Sequence, residues 1–367
     1  MSQKVLILGG KGRIGSCVAQ DISNHTDAEI TVTSRQVNED GRSQTRWLQL
    51  DLDHTEKLRQ AVRESDLVIH CAGPFHYRDG RVLKTCIEER SHYLDVSDHR
   101  SFFQKAIKLR EKAEAAGITA ILNTGIFPGI SNSMVRQGVE HFDQAKTIHL
   151  SYVVAGSGGA GLTVLRTTFL GLRQPFPVWM DKQWHRVSPY SDRETVTFPE
   201  PYGKTGVYWF DMPEAYTFAE SFPGVNNIIT KFGSVPDLYN HLTWITAHVF
   251  PSAWIEGSRG IEFFSKVSHK MTKVTDKLSG IGVAMRAEIQ GEKDGKTQKY
   301  CSTLVHKNTA VSAGIGTGTV AQYILEGKLQ KPGIWAVEQA LSTELFTAAM
   351  GDRGLKIEQQ EVPVRSS

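Results

Sequence analysis

Lys4-Val5-Leu6-Ile7-Leu8-Gly9-Gly10-Lys11-Gly12-Arg13-Ile14-Gly15 is the stretch on which the fold turns. Its first five residues form a short, bounded aliphatic run and read as a buried strand. Gly10, Gly12 and Gly15 then satisfy G-x-G-x-x-G where that strand turns into a helix predicted over Arg13–Ile22. In such a turn the first glycine permits the tight bend. The second removes a side chain that would hold a diphosphate away, and the third lets helix and strand pack closely. The helix N-terminus then presents N–H groups and its positive dipole end to an anion. Gly10, Lys11, Gly12, Arg13, Ile14 and Gly15 are therefore the expected diphosphate cradle.

Outward from this turn, short β-branched runs alternate with helical periods as far as about Asn123. The strand-like runs are Lys4–Leu8, Glu29–Ser34, Arg46–Leu50, Leu67–Cys71, Tyr93–Val96 and Ile118–Asn123. Helix-like segments fall at Arg13–Ile22, Thr55–Glu64, Gly80–Glu89 and Ser101–Ala116. This is the rhythm of successive βαβ units, so the fold class is α/β with a doubly wound parallel sheet. After Thr124–Ser133 the rhythm changes. A strand over Ile148–Ala155, an aromatic-rich region and a hairpin of Val283–Gln290 and Thr297–Val305 around Asp294-Gly295 mark a second, antiparallel α+β unit. Helices are predicted at Ala310–Glu326 and Thr343–Met350, and Leu355–Val362 is expected to return as a strand to the first sheet.

The end of the second strand selects the cofactor, because NAD requires an acid for the 2′-hydroxyl and NADP a cation for the 2′-phosphate. Here Ser34-Arg35 stand, a hydrogen-bond donor and a guanidinium, and NADP is the expected cofactor. Lys11 and Arg13 are near in sequence to assist. Asp51 suits either the adenine amino group or a cap for the helix that starts near His54. A second match to the glycine pattern, Gly156–Gly161, lacks the following βα unit with a ribose-reading residue and is read as a corner of the second unit.

Composition narrows the function. A chain of 367 residues suggests two domains, and 40% hydrophobic with 22% charged residues is ordinary for a folded chain. A formal net charge of +3 gives no basic footprint for nucleic acid. Cys17, Cys71, Cys86 and Cys301 lack metal or redox spacing and read as packing residues in a reducing, cytoplasmic setting. The N-terminus shows no export signal. Leu238–Ile255 lacks formal charge yet carries Asn240, His241, His248 and Pro251, which leaves peripheral membrane contact rather than a spanning helix.

With the glycine turn, four further segments resemble the saccharopine dehydrogenase-like family, of the saccharopine reductase type. They are His70-Cys71-Ala72-Gly73-Pro74-Phe75, Tyr93–Asp98, Gly125-Ile126-Phe127-Pro128-Gly129 and Lys331–Glu338. The resemblance implies a Rossmann-type nucleotide domain from residues 1–125 and 335–367. It implies an inserted substrate and dimerisation domain over 126–334, a homodimer, and NADP-linked reduction of an imine or an enone of a small organic substrate. Ala72, Gly73 and Pro74 fall where backbone approaches the dinucleotide at the carboxyl edge of a doubly wound sheet.

Reduction also needs a proton donor near the acceptor. Tyr77 and His76, in the loop after the Ala-Gly-Pro turn, are the catalytic candidates, each with the alternative of merely flanking the cofactor. Asp98 and Asp95 are candidates to hold a cationic amine, with helix capping as the other reading of Asp98. Arg166, Arg173, Arg186 and Arg193 are available for substrate carboxylates. None of the ten tyrosines is followed four residues later by lysine, so the short-chain dehydrogenase dyad is absent, as are HExxH, G-x-S-x-G and P-loop patterns. His70, Cys71, Cys86 and His92 have irregular spacing for a metal, and no metal is expected. The rival reading is a non-catalytic NADP-binding sensor or scaffold. In it Trp179, Trp184, Tyr202, Tyr208, Trp209 and Phe210 bind a protein, lipid or membrane surface.

Overall fold

The computed structural model describes residues 2–35, 45–156, 162–250, 258–279 and 281–363. They form two compact units, one of residues 1–130 and 310–346, the other of 131–309 and 347–367.

In the first unit the aliphatic runs become β1 (Lys4–Leu8), β2 (Glu29–Ser34), β3 (Arg46–Gln49), β4 (Leu67–His70), β5 (His92–Asp95) and β6 (Thr119–Leu122). A seventh strand, Gly333–Ala336, pairs in parallel with β6. The spatial order runs from that strand through β6, β5, β4, β1 and β2 to β3, with every pair parallel. A parallel sheet is covered on both faces, which is why β1 and β4 are continuous aliphatic runs rather than alternating ones. Val5, Leu6, Ile7, Leu8, Leu67, Val68 and Ile69 are all buried.

The crossovers are α1 (Arg13–His25), α2 (Thr55–Arg63), α3 (Arg81–Glu89), α4 (Arg100–Ala106) and α5 (Arg110–Ala115). The predicted Ser101–Ala116 helix is interrupted by a 3₁₀ turn over Ile107–Leu109, and Arg110 beyond it donates from Nε to the Ile334 carbonyl at 2.8 Å. Leu58 and Val62 of α2 join Leu6, Leu8, Tyr93, Phe102 and Ile334 in one core. On α1, Val18 and Ile22 are buried. Helix Thr309–Leu325 belongs to this unit from Ala310 on and lies so close to α1 that a Cβ on Gly314 would meet Cys17 at 2.7 Å. Cys17, Cys71, Cys86 and Cys301 are free thiols, and burial raises the pKa of each.

The second unit holds, among the described residues, a nine-stranded mixed sheet. After α6 (Ile130–Val139), which begins at the end of the first unit, come β7 (Gln144–Ala155) and α7 (Leu162–Gly171). They are followed by β8 (Phe176–Met180), β9 (Gln183–Val187), β10 (Glu194–Thr197), β11 (Lys204–Trp209), α8 (Glu214–Ser221) and β12 (Asn227–Val235). Next are α9 (Leu238–His248), α10 (Ser258–Ser279), β13 (Gly282–Lys293) and β14 (Lys296–His306). The β13–β14 hairpin turns at Asp294 and Gly295, both with positive φ, 51° and 69°, as a two-residue hairpin turn requires.

The terminal strand Ile357–Pro363, expected in the first sheet, instead pairs antiparallel with β14, from Leu304↔Ile357 to Gln298↔Pro363. Its sequence explains the outcome. Glu358, Gln359, Gln360 and Glu361 are exposed, which an edge of an antiparallel sheet tolerates and a doubly covered parallel sheet does not. None of the described helices is long and apolar enough to cross a membrane.

Candidate dinucleotide site and its flanking loops

The phosphate turn is built by four glycines. Gly9, at the end of β1, takes φ +80°, and a Cβ there would sit 3.0 Å from Ala72 Cα. The tight bend assigned to Gly10 from the sequence thus belongs to Gly9. Gly10 is required for a different reason, since its Cβ would collide with Val32 of β2 at 2.5 Å. A Cβ on Gly15 would lie 2.5 Å from the Gly9 carbonyl oxygen, as the close helix–strand packing demands. Gly12 N–H donates to the Gly9 carbonyl at 2.9 Å, and Gly9 N–H donates to Thr33 Oγ1 at 3.1 Å, tying the turn to β2. Gly12 caps α1 without a side chain, and no acidic residue occupies the first turn. The N-terminal dipole end is left electropositive.

At the ribose end, Ser34 closes β2 and Arg35 follows, exposed, with its carbonyl fixed by Gln49 Nε2 at 3.0 Å. Lys11 and Arg13 are exposed on the same turn region. Asp51 accepts the Asp53 N–H at 3.1 Å and its carbonyl accepts His54 N–H at 3.0 Å. It shapes the turn before α2 rather than capping the helix, whose N-cap is His54.

The loop after β4 carries a residue that no local pattern announces. Arg78 donates from Nε to the Ala72 carbonyl at 2.8 Å and from a terminal nitrogen to the Gly73 carbonyl at 3.4 Å. This holds the Ala72-Gly73-Pro74 turn, and hence Ala72 against Gly9. Burial presses the Arg78 pKa below the usual guanidinium value against the pull of Asp53, and Arg35 and Arg81 add repulsion. Arg78, Arg81, Leu52, Asp53, His70 and Tyr77 line one small pocket. Arg81 itself is taken up by Asp53 at 2.7 Å and Asp79 at 2.9 Å.

Behind the carboxyl edge of β4, β5 and β6 lies a buried polar network. Asp95 Oδ1 accepts Ser97 N–H at 3.0 Å, Ser97 Oγ–H at 2.6 Å and Asn123 N–H at 3.0 Å. Asn123, with φ +61°, donates from Nδ2 to the Ser97 carbonyl at 2.8 Å and to Ser97 Oγ at 3.0 Å. Asp95 is wholly buried and burial raises its pKa, so it does not present a carboxylate to an amine, contrary to the sequence expectation. His70 Nδ1 lies 3.2 Å from the Tyr93 hydroxyl, and desolvation, followed by the charge of Arg78, lowers the His70 pKa to about 3. The site keeps this imidazole neutral.

Phe75–Tyr77 forms a 3₁₀ turn that buries Phe75 and leaves Tyr77 59% exposed. His76 Nδ1 lies 3.2 Å from His99 Nε2, and its ring meets that of Tyr77 edge-on at 4.9 Å. His99, absent from the sequence candidates, caps α4 by accepting Ser101 N–H at 3.2 Å on Nδ1. The cap offered to Asp98 is therefore filled by its neighbour, and Asp98 stays half-buried beside it. Burial and then His76 lower the His99 pKa to about 4. Tyr77, His76 and Asp98 thus lie on the loops that follow β4 and β5. Among the described residues no group of three His, Cys, Asp or Glu is arranged to hold a metal.

In the second unit, two of the four arginines offered for carboxylates are taken by acids. Arg166 pairs with Glu262 through two bonds of 2.7 and 2.9 Å, and Arg193 with Asp237 at 3.3 Å. Arg186 donates to the Pro175 carbonyl at 2.6 Å. Arg173 Nε is buried without a hydrogen-bond acceptor. The aromatic run is largely core: Trp209 packs with Phe176 and Val178, Tyr208 stacks on Tyr190 at 4.5 Å, and Tyr208 and Phe210 are buried. Trp184, stacked on Tyr216 at 4.8 Å, is the exposed member. Gly156 takes φ +54°, and the remainder of the second glycine pattern, 157–161, lies outside the described residues.

A glycine turn at the end of β1 and seven parallel strands in this order make a dinucleotide-binding unit of the kind that serves NADP-dependent oxidoreductases. Residues 5–121 match the saccharopine dehydrogenase NADP binding domain. The chain is 22% identical to carboxynorspermidine synthase of Vibrio cholerae over 94% of either chain. It is 23% identical to carboxyaminopropylagmatine dehydrogenase of Synechocystis over 96% of either chain. In fold it is similar to the L-Glu-forming saccharopine dehydrogenase of Saccharomyces cerevisiae, at 15% identity and TM-score 0.70, covering 98% of this chain and 100% of the other.

Proposed function

We propose that this oxidoreductase uses NADPH to reduce an imine formed between an amine and a carbonyl compound, on a substrate that carries a carboxylate. The observation that carries the reading is end-to-end similarity to two enzymes named for carboxylated amines, carboxynorspermidine and carboxyaminopropylagmatine. A phosphate turn and an Arg35 suited to the 2′-phosphorylated cofactor stand at the start of the same chain.

In this reading Gly10, Lys11, Gly12, Arg13, Ile14 and Gly15 hold the diphosphate, joined by Gly9. Ser34 and Arg35 take the 2′-phosphate, and Asp51 faces the adenine side. Ala72, Gly73 and Pro74 give the dinucleotide an edge with little side chain, which Arg78 fixes. Tyr77 or His76 supplies the one proton that the nitrogen acquires, with Asp98 near the incoming amine. In this reading the protein works in the cytoplasm and the nucleotide domain, expected over residues 1–125 and 335–367, corresponds to the compact unit of residues 1–130 and 310–346.

The test is NADPH oxidation by the purified chain with panels of primary amines plus carboxylated aldehydes or keto acids, alongside a panel of enones. Turnover only when amine and carbonyl are both present supports the reading. Turnover with enones alone contradicts it, and NADPH that binds without oxidation in every panel returns the protein to a sensing role.

A further inference from the structure

The parallel register that sets His70 of β4 opposite Asp95 of β5 also brings together the loops that follow them, and His76 of the first meets His99 of the second. Packing beneath holds the pair. Phe75, beside His76, and Phe102, in the first turn of α4, are both buried and meet edge-on at 5.1 Å. The two imidazoles are edge-on as well, with ring centres 4.6 Å apart, and His76 Nδ1 lies 3.2 Å from His99 Nε2.

Which nitrogen carries the proton is decided on the far side of His99. Its Nδ1 faces the Ser101 hydroxyl at 2.9 Å and the Ser101 backbone N–H at 3.2 Å. A hydroxyl donates or accepts and leaves the tautomer open, whereas a backbone N–H only donates, so Nδ1 of His99 bears no hydrogen. Burial, followed by the charges of His76, Arg100 and Lys105, lowers the His99 pKa to about 4, so near neutral pH the ring has a single proton to place. That proton sits on Nε2, toward His76.

An N–H on that side makes Nδ1 of His76 the acceptor and leaves Nε2 as the His76 nitrogen that carries hydrogen. We propose that His99 is a positioning residue: through this bond it fixes His76 as the Nε2–H tautomer, so that His76 meets the substrate as a hydrogen-bond donor. The meeting with substrate rests on the imine reduction proposed above, in which a donor stabilises charge building on the nitrogen and a bare ring nitrogen would repel it.

Isosteric variants of the full chain separate this role from the capping of α4. Asn sets an oxygen where His99 Nδ1 stands and can accept the Ser101 N–H, but it has no donor that reaches His76. Gln sets an amide N–H where Nε2 stands and leaves the cap unfilled. His99→Ala, which loses both, is expected to lower kcat for imine reduction by about tenfold to a hundredfold and to lower the urea midpoint. His99→Asn should restore the midpoint and not kcat, and His99→Gln should restore most of kcat and not the midpoint. Activity that returns with Asn instead of Gln, or that none of the variants changes, overturns the proposal and leaves His99 a helix cap alone.

Long-range proton–nitrogen NMR correlations of the imidazoles, with His76 assigned by its loss in His76→Gln, read the tautomer without any substrate. His76 should show a protonated Nε2 and a hydrogen-bonded Nδ1 in the wild type and in His99→Gln, and the bonded Nδ1 should vanish in His99→Asn. Identical His76 signals in all three overturn the lock. If no pair of amine and carbonyl compound is turned over, the imine reading fails, and the spectra alone decide whether His99 sets the His76 tautomer.

Discussion

Arg78 reaches back six residues to donate to the Ala72 carbonyl at 2.8 Å, and Ala72 is the residue against which Gly9 is pressed. The guanidinium thereby fixes the loop after β4 against the phosphate turn. Charge-assisted hydrogen bonds of this kind contribute about 1.5–3 kcal/mol. Arg78→Met should therefore weaken NADPH binding by roughly tenfold to a hundredfold. Fluorescence titration measures it, and an affinity within about twofold of wild type would remove Arg78 from the site.

Arg35 is exposed at the end of β2, and the proposed function gives it the choice between the two coenzymes. Arg35→Asp replaces a bidentate donor with a charge that repels a 2′-phosphate and accepts from a 2′-hydroxyl. The ratio of NADPH to NADH affinity is expected to fall by at least about tenfold, read from paired titrations. Equal losses for both would show that Arg35 is only a solvated surface cation.

Gly9→Ala forces a side chain into φ +80° and to 3.0 Å from Ala72. The left-handed conformation costs an L-residue about 1–2 kcal/mol, before the close contact is added. The midpoint of urea unfolding should drop accordingly and NADPH affinity with it. An unchanged midpoint would mean that the turn relaxes without cost.

The neutral His70 gives a pH signature. Its folded pKa of about 3 lies below the ordinary 6.5, so between those values the unfolded chain binds a proton that the folded chain does not. The stability it contributes is present above pH 6.5 and is lost as pH falls toward 3. His99, at about 4, acts in the same direction, whereas the raised Asp95 acts in the opposite one above 3.8. His70→Gln isolates one of these. Its unfolding free energy should lose up to about 1.4 kcal/mol less per pH unit than the wild type across this window. Parallel slopes from urea melts at several pH values would contradict a neutral buried His70.

Fold and phosphate turn were legible in the sequence because their information is local. The glycine turn, the strand runs around it and the Asp294-Gly295 hairpin each announce themselves within a dozen residues, since strand, turn and helix geometry are set there. Other residues take their meaning from what the chain later brings beside them. Nothing around Arg78 marks it as a clamp for Ala72, and the spacing pattern gave the bend to Gly10 where Gly9 makes it. His99 took the cap of α4 that Asp98 was offered, a substitution settled by one residue of register. The polar run Glu358-Gln359-Gln360-Glu361 suits an antiparallel edge, but which edge Ile357–Pro363 joins is settled only by its pairing with β14.

Calorimetric titration of the wild-type chain with NADPH and with NADH measures the central claim most directly. A dinucleotide held by the Gly9–Gly15 turn and selected by Arg35 requires saturable heat from NADPH and an affinity at least about tenfold weaker for NADH. No heat from either coenzyme, or equal affinity for both, would contradict it.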